Sequence, residues 1–403
     1  MFFRRRRIYL DYASATPVLP EALSALEQAS GVNGNPGAIH SEGVRAARLL
    51  QESREKIALE LACKAREIVF VSGGTEANNL AILGFLRKLE LKGIDISKTH
   101  WITSAIEHPS VLECFSEVER RGGLVSHVNP DGRGIIAAET VGKALRKETV
   151  FVSIQWANHE IGTIQPIRDI RAAIKAHEEK SGTSVIFHSD FGQAPLYLSP
   201  QVHSLGVDIA SLDSGKLYGP RGIGCVYLNN RAELARVIFG GGQERGLRAG
   251  TENVALAAGF AEAFSMIGKE RERESKRVRE MRGELARELA SAVPSMVING
   301  DLKHSLPHIL NVSVPNVSSE YVTLQFDRAG IAISTKSACR EGEESRSHVV
   351  EALAAASEAL AKEAGNNWRA QNTLRFSLGR DTSATDIKNV SQMFEKSLAM
   401  IKR

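Results

Sequence analysis

The sequence predicts an α/β fold: a mostly parallel seven-stranded sheet with helices on both faces, followed by a smaller α+β layer. Three observations predict it. From about residue 68 to 228, short β-branched runs alternate with amphipathic stretches, the pattern of parallel strands joined by crossover helices. The chain has 403 residues, more than one hydrophobic core comfortably supports. Near residue 257 the texture changes, and a long charged stretch takes over.

The seven strand segments are, in order, "EIVFVSGG", "HWITSA", "LVSHVNP", "TVFVSIQWA", "SVIFHSD", "VDIASLD" and "GIGCVYL". Between them, "EANNLAILGFLRKLELKG", "PSVLECFSEVERRGG" and "IRDIRAAIKAHEEKSG" repeat apolar residues at helical spacing. Each stops near a glycine, the residue that ends helices most readily. Further on, "FAEAFSMIGKERERESKRVREMRGELARELASAV" mixes acidic and basic residues along a solvated helix face. "HILNVSVP", "GIAIS" and "LRFSLGR" then supply strands of a second layer, closed by the helix "ATDIKNVSQMFEKSLAMIKR". This divides the chain into a large α/β domain, residues 15–257, and a small α+β domain, residues 1–14 with 258–403.

With 43% hydrophobic and 24% charged residues, the composition is that of a soluble globular protein. No apolar stretch approaches the roughly 20 residues of a membrane span, and Arg4 to Arg7 do not lead into a signal-type apolar run. A cytoplasmic protein is expected. Much of the net charge of +4 sits in Arg4 to Arg7, a solvated terminal face rather than a nucleic-acid patch. Cys63, Cys114, Cys225 and Cys339 are far apart and form no CxxC pair. That argues against a disulfide scaffold and a structural zinc site.

Ligands of open α/β sheets bind beyond the carboxyl ends of the strands, and the chemically loaded residues fall there. In "FVSGGTEANNLAI" a strand ends at Ser72, Gly73 and Gly74 turn the chain, and Thr75 opens a helix. Free amides at a helix start bind anions, although a plainly capped helix would read the same way. Asp190 in "IFHSDFGQ" follows an apolar strand, where a carboxylate is costly unless paired. A cationic ring nitrogen is one such partner; a metal shared with His188 lacks a third ligand at useful spacing. Lys216 in "SLDSGKLYGPRG" sits in a glycine-rich turn, reachable for Schiff-base chemistry. His108 in "AIEHPSVL" and Asn158 and His159 in "QWANHEIG" follow two further strands. Taken singly, each histidine is more often structural. Together these residues are the set a pyridoxal phosphate enzyme needs: an anion cradle, a ring-stacking group, a ring-nitrogen partner and a lysine. Cys339, in "ISTKSACREGEESRSH", stands in a stretch too polar to bury.

Eight segments in fixed order, "YLDYASATPV", "GNPGAIHSEG", "FVSGGTEANNLA", "EHPSV", "NHEIGTIQPI", "GGGQERGLRAGTENV", "SACREGEESRSHVVEAL" and "LRFSLGR", resemble the cysteine desulfurases of the NifS/IscS type. These are class V, fold-type I pyridoxal phosphate enzymes with the aspartate aminotransferase-like fold. The resemblance implies conversion of L-cysteine to L-alanine, with sulfur passed as a persulfide on Cys339 to an iron–sulfur scaffold or a tRNA-thiolation relay. It implies that Lys216 is the Schiff-base lysine, Asp190 the ring-nitrogen partner and His108 the stacking residue active in proton transfer. It places Gly74, Thr75 and Ser214 at the phosphate, Gln193 and Asn158 beside the ring oxygen and substrate, and Arg375 on the substrate carboxylate. Thr251 matches a phosphate ligand reaching in from a second subunit, so a homodimer is implied. Nine residues between Cys339 and "VVEAL" match the long-loop group of the family. Another class V enzyme, an aminotransferase or selenocysteine lyase, is the alternative on the same fold, and a catalytically weakened accessory protein in sulfur transfer is a further one.

Five positions depart from the family pattern. "DSGK" puts Asp213 and Gly215 where a serine and a histidine help hold the phosphate. Asp213 is expected either to turn away, with Ser214 substituting, or to weaken cofactor binding. Phe191 replaces an alanine and is expected to overfill the slot beneath the ring unless the backbone shifts. His159 replaces an asparagine. Lys336 replaces a glycine and is expected to favour the Cys339 thiolate.

Overall fold

All seven strand segments form, and they hydrogen-bond into one sheet. The computed structural model describes residues 7–335, 346–356 and 368–401. After a short strand β1 (Ile8–Tyr9) come β2 (Ile68–Val71), β3 (His100–Ser104), β4 (Leu124–Val128), β5 (Thr149–Ser153), β6 (Ile186–Asp190), β7 (Ile209–Asp213) and β8 (Gly224–Leu228). Their spatial order is β2-β8-β7-β6-β5-β3-β4. The β7/β6, β6/β5, β5/β3 and β3/β4 pairs are parallel, and β8 runs antiparallel to both its neighbours. Six strands therefore point one way, which brings Ser72, Ser104, Asp190 and Asp213 to one edge of the sheet.

Alternate residues of each strand feed two separate buried layers, as the two-residue side-chain period requires. Val69, Val71, Trp101, Phe151, Ile186 and Ile209 pack against the helices Gly74–Leu91 and Pro109–Arg120. Trp101 and Phe151 lie 5.1 Å apart between ring centroids. Burying each such ring stabilises the fold by about 1.5–3 kcal/mol. Ile68, Phe70, Ile102, Val152, Phe187 and Ala210 face the opposite layer with the helices Ser41–Leu61, Ile167–Ser181 and Val254–Ala292. The expected glycine stop is visible at the Ile167–Ser181 helix, whose cap Gly182 has φ 70°, a left-handed conformation that penalises any residue with a Cβ.

The Val254–Ala292 helix has 39 residues, about 58 Å of rise. It starts on Asn253, whose side chain accepts from the Leu256 amide at 3.0 Å. It runs unbroken through residue 257, with Ala257, Phe260 and Phe264 buried early and Val278, Leu285 and Leu289 buried late.

The smaller layer holds β9 (Val297–Ile298), β10 (Ile309–Ser313), β11 (Ile331–Ala332), β12 (Ser334–Thr335) and β13 (Thr373–Ser377). The order β12-β13-β10-β9 makes an antiparallel sheet. "GIAIS", expected as one strand, is split. Its first half pairs in parallel with β1, and its second half pairs antiparallel with β13. The chain changes partners at Ile333 because the returning N-terminal segment occupies the first position. That same return carries Asp11 to Ser377 through an isolated parallel bridge.

Candidate active site

A cavity of about 220 Å³ opens at the carboxyl edge of the large sheet. It brings together six of the residues expected there: Gly74, Thr75, His108, Asp190, Lys216 and Arg375. The parallel strands deliver Asp190 from the end of β6 and Lys216 from the turn after β7. Gly192 is required between them. A Cβ there would lie 2.9 Å from Asp190 Oδ1 and 3.7 Å from Lys216 Nζ.

Asp190 is held on both oxygens. Gly192 N–H donates to Oδ1 at 2.7 Å, and Asn78 Nδ2 donates to Oδ2 at 2.8 Å. Asn78 also donates to Ser110 Oγ at 2.9 Å, and that hydroxyl lies 2.8 Å from His108 Nδ1. His108 caps the Pro109–Arg120 helix by accepting the Ser110 backbone N–H at 3.1 Å. An Nδ1 that accepts an amide proton leaves the ring proton on Nε2. Burial, reinforced by the Lys216 ammonium, pushes the imidazole down to about 4. It is neutral at neutral pH.

Arg375, on β13, is buried in the cavity wall. Its Nη1 donates to the His159 carbonyl at 2.9 Å, and Nη2 donates to Asp11 Oδ1 at 2.8 Å and Ser14 Oγ at 2.6 Å. Nε has no hydrogen-bond partner among the described residues. The His159 ring stands edge-on to His108, with centroids 5.2 Å apart. Neither of its nitrogens has a hydrogen-bond partner among the described residues, and Glu160 Oε1 lies 3.8 Å from Nε2. Burial, then the neighbouring His108 and Lys216, holds its pKa well below the usual histidine range.

At the phosphate end the orientation of Asp213 is that of the second alternative, not the first. Asp213 does not turn away: its Oδ2 accepts the Gly74 N–H at 3.0 Å and its Oδ1 accepts the Gly215 N–H at 2.8 Å. The partial positive charge at a helix start attracts a carboxylate. Ser214 is buried, and its Oγ has no hydrogen-bond partner among the described residues. Phe191 is not among the residues that line the cavity. Its ring is fully buried, 4.6 Å from that of Trp156.

Other expected residues stand apart from the cavity lining. The Asn158 amide bonds backbone groups, donating once to Ile106 O at 3.0 Å and accepting from Glu160 N at 2.8 Å and Ile161 N at 2.9 Å. Gln193 donates to Ala13 O at 2.8 Å. Thr251 is exposed just before the long helix. Cys339 and Lys336 lie outside the described residues. His188 bonds Ser153 Oγ at 2.8 Å and Ser211 Oγ at 3.0 Å, so both ring nitrogens are committed within the sheet. Burial raises the Cys63 and Cys114 thiols to about 12 and Cys225 further, which makes all three poor nucleophiles.

Asn78, Ser110, Asp11 and Ser14 complete the site without having been expected. A faint signal existed for Asn78: two adjacent amides, Asn78 and Asn79, interrupt an otherwise apolar helix start.

The class-V aminotransferase family model matches residues 8–390. The cysteine desulfurase IscS of Dictyoglomus turgidum is 35% identical over 399 residues, covering 99% of this chain and 96% of its own. A solved structure described as a NifS-like protein has a TM-score of 0.87 at 30% identity, covering 98% of this chain and all of the other. A structure of SspA in complex with cysteine has a TM-score of 0.76 at 32% identity, covering 92% and 98% of the two chains.

Proposed function

Because the chain belongs to the class-V aminotransferase family, and within it to the cysteine desulfurases of the IscS type, we propose that it takes sulfur from L-cysteine, releases L-alanine and holds the sulfur as a persulfide on Cys339. The family is pyridoxal phosphate-dependent. The residues present suit that group at its ring and aldehyde ends: Lys216 for the aldehyde, Asp190 for the ring nitrogen and His108 for the ring face share one cavity. Gly74 and Thr75 stand at the helix start suited to its phosphate. When bound, the cofactor supplies an electron sink for the substrate carbon.

The chain's own residues have these roles. Arg375 pairs with the substrate carboxylate through its guanidinium fork. Lys216, as the free amine, removes the Cα proton. His108, neutral with its proton on Nε2, donates a hydrogen bond beside it. The Asp190 carboxylate, fixed by Asn78 and Gly192, holds a proton on the ring nitrogen. The Cys339 thiolate attacks the substrate Sγ. The Cβ–Sγ bond then breaks, its electron pair stays on carbon, and uptake of a proton there completes alanine.

The observation that carries this reading is the convergence of Lys216, Asp190 and Arg375 on one cavity. The structural neighbour solved with cysteine supports the substrate. The test is direct: protein supplied with pyridoxal phosphate, L-cysteine and a reductant releases alanine and sulfide in equal amounts. Cys339→Ser keeps the visible cofactor absorbance and loses sulfide release; equal turnover in that variant overturns the nucleophile.

The same proposal includes a sulfur-acceptor protein, such as an iron–sulfur scaffold or a thiolation relay, and a cytoplasmic location. Among the described residues no helix is long and apolar enough to cross a membrane. It also includes a homodimer in which Thr251 completes the partner's site. A groove of about 650 Å³ starting at Thr75 and His108, near the 66% exposed Phe239, supports a protein-covered face there. The division into residues 15–257, and 1–14 with 258–403, belongs to this reading, with the Val254–Ala292 helix shared by both parts.

A further inference from the structure

We propose that Asp213 is a built-in competitor for the cofactor phosphate, and that loading this site requires its carboxylate to leave the helix start. The inference rests on the pyridoxal phosphate reading above and concerns a position that departs from the usual family pattern.

The amide of Gly74 opens an 18-residue helix, the position at which a phosphate gains most from free N–H groups. That amide is already bonded, at 3.0 Å, to Asp213 Oδ2. The second oxygen is secured by the Gly215 N–H at 2.8 Å, so the carboxylate is clamped from both sides. Small residues permit this. A Cβ on Gly74 would stand 3.1 Å from Asp213 Oδ2 and 3.2 Å from Asp213 Cβ. At Gly215 a Cβ would meet Asp213 Oδ1 and Arg221 Cγ, each at 3.3 Å. The space that a larger residue would fill is closed by Asp213 and Arg221 instead. The neighbouring hydroxyl, Ser214 Oγ, is buried without a hydrogen-bond partner among the described residues.

A carboxylate and a phosphate cannot share one N–H. Two like charges about 4 Å apart at an intermediate dielectric correspond to roughly a thousandfold in affinity. Asp213 is partly exposed, and screening reduces this to roughly ten- to a hundredfold. The clamp also has an opposite effect. In cofactor-free protein it caps the Gly74–Leu91 helix, so the residue that hinders loading supports the empty fold.

The experiment uses the full chain stripped of cofactor. Wild type, Asp213→Ser and Asp213→Asn are titrated separately with pyridoxal phosphate and with pyridoxal, following the visible absorbance of the lysine-bound cofactor, and cofactor-free melting is recorded. Asp213→Asn removes the charge and keeps an acceptor for one of the two amides. In both variants the Kd for pyridoxal phosphate should fall about tenfold or more, while that for pyridoxal changes less than twofold. Cofactor-free Tm should fall in both variants, because neither residue can accept from both amides. Unchanged pyridoxal phosphate affinity with normal pyridoxal binding would overturn the inference and leave the proposed activity intact. No absorbance change with either compound, in wild type and variants alike, would overturn both.

Discussion

Asn78 donates both protons of its amide inside the site, one to Asp190 at 2.8 Å and one to Ser110 at 2.9 Å. One buried side chain thereby aims the carboxylate and, through Ser110, the His108 ring.

Replacing Asn78 with alanine removes both bonds. The expected loss is about 1–3 kcal/mol of folding stability, with roughly tenfold weaker cofactor binding as Asp190 loses its aim. Urea unfolding and an absorbance titration check the two effects; a variant that binds cofactor normally would deny Asn78 a positioning role.

Arg375→Lys keeps the charge and loses the planar fork that reaches Asp11, Ser14 and the His159 carbonyl. KM for L-cysteine should rise about 10- to 100-fold, with a smaller change in kcat. Steady-state kinetics decide this, and an unaltered KM would remove Arg375 from the substrate carboxylate.

Glu244 accepts from Arg54 at 2.6 and 2.8 Å and from the Phe70 amide at 2.8 Å, tying the loop before Thr251 to strand β2. Removing one partner of a buried ion pair leaves the other uncompensated. Glu244→Ala should therefore lower stability by about 3–5 kcal/mol, measurable by denaturant unfolding.

Stability should peak near pH 7. Burial pushes His100, His108 and His188 down to about 4 and His308 to about 3, and holds His159 well below the usual histidine range. Below about 7 the unfolded chain therefore binds protons that the folded one does not, and stability falls with falling pH. Glu107 opposes this. Burial raises its carboxyl to about 8 against the bonds from Ser104 and Gln155. The folded state keeps a proton that the unfolded chain has released, so this contribution fades as pH climbs toward 8. Five groups outweigh one on the acid side; above about 7 Glu107 prevails. Thermal melts from pH 4.5 to 8.5 should show both limbs, and Glu107→Gln should flatten only the alkaline one.

The strands were legible because period and β-branching are local, and the positions of Asp190, Lys216 and His108 were legible because strand ends face one edge. What each polar side chain touches was not. Asn78 and Asp190 are 112 residues apart in the chain, and Gly74 and Asp213 are 139 apart. Neither neighbourhood leaves a local trace, so the direction Asp213 takes could be framed only as a choice. Phe191 misled for a related reason: its residue type announced bulk, and only the fold supplied Trp156 as a place to put it. Asn158 showed the opposite case, a residue with a plausible role whose amide bonds the backbone.

In the antiparallel ladder of the smaller layer, Ser334 lies directly opposite Arg375. The chain continues from there to Cys339, five residues on, a leash of at most about 17 Å when drawn straight. On the proposed roles of Arg375 and Cys339, that tether is staked beside the guanidinium assigned to the amino acid. An outside acceptor of the sulfur would then have to come within its radius.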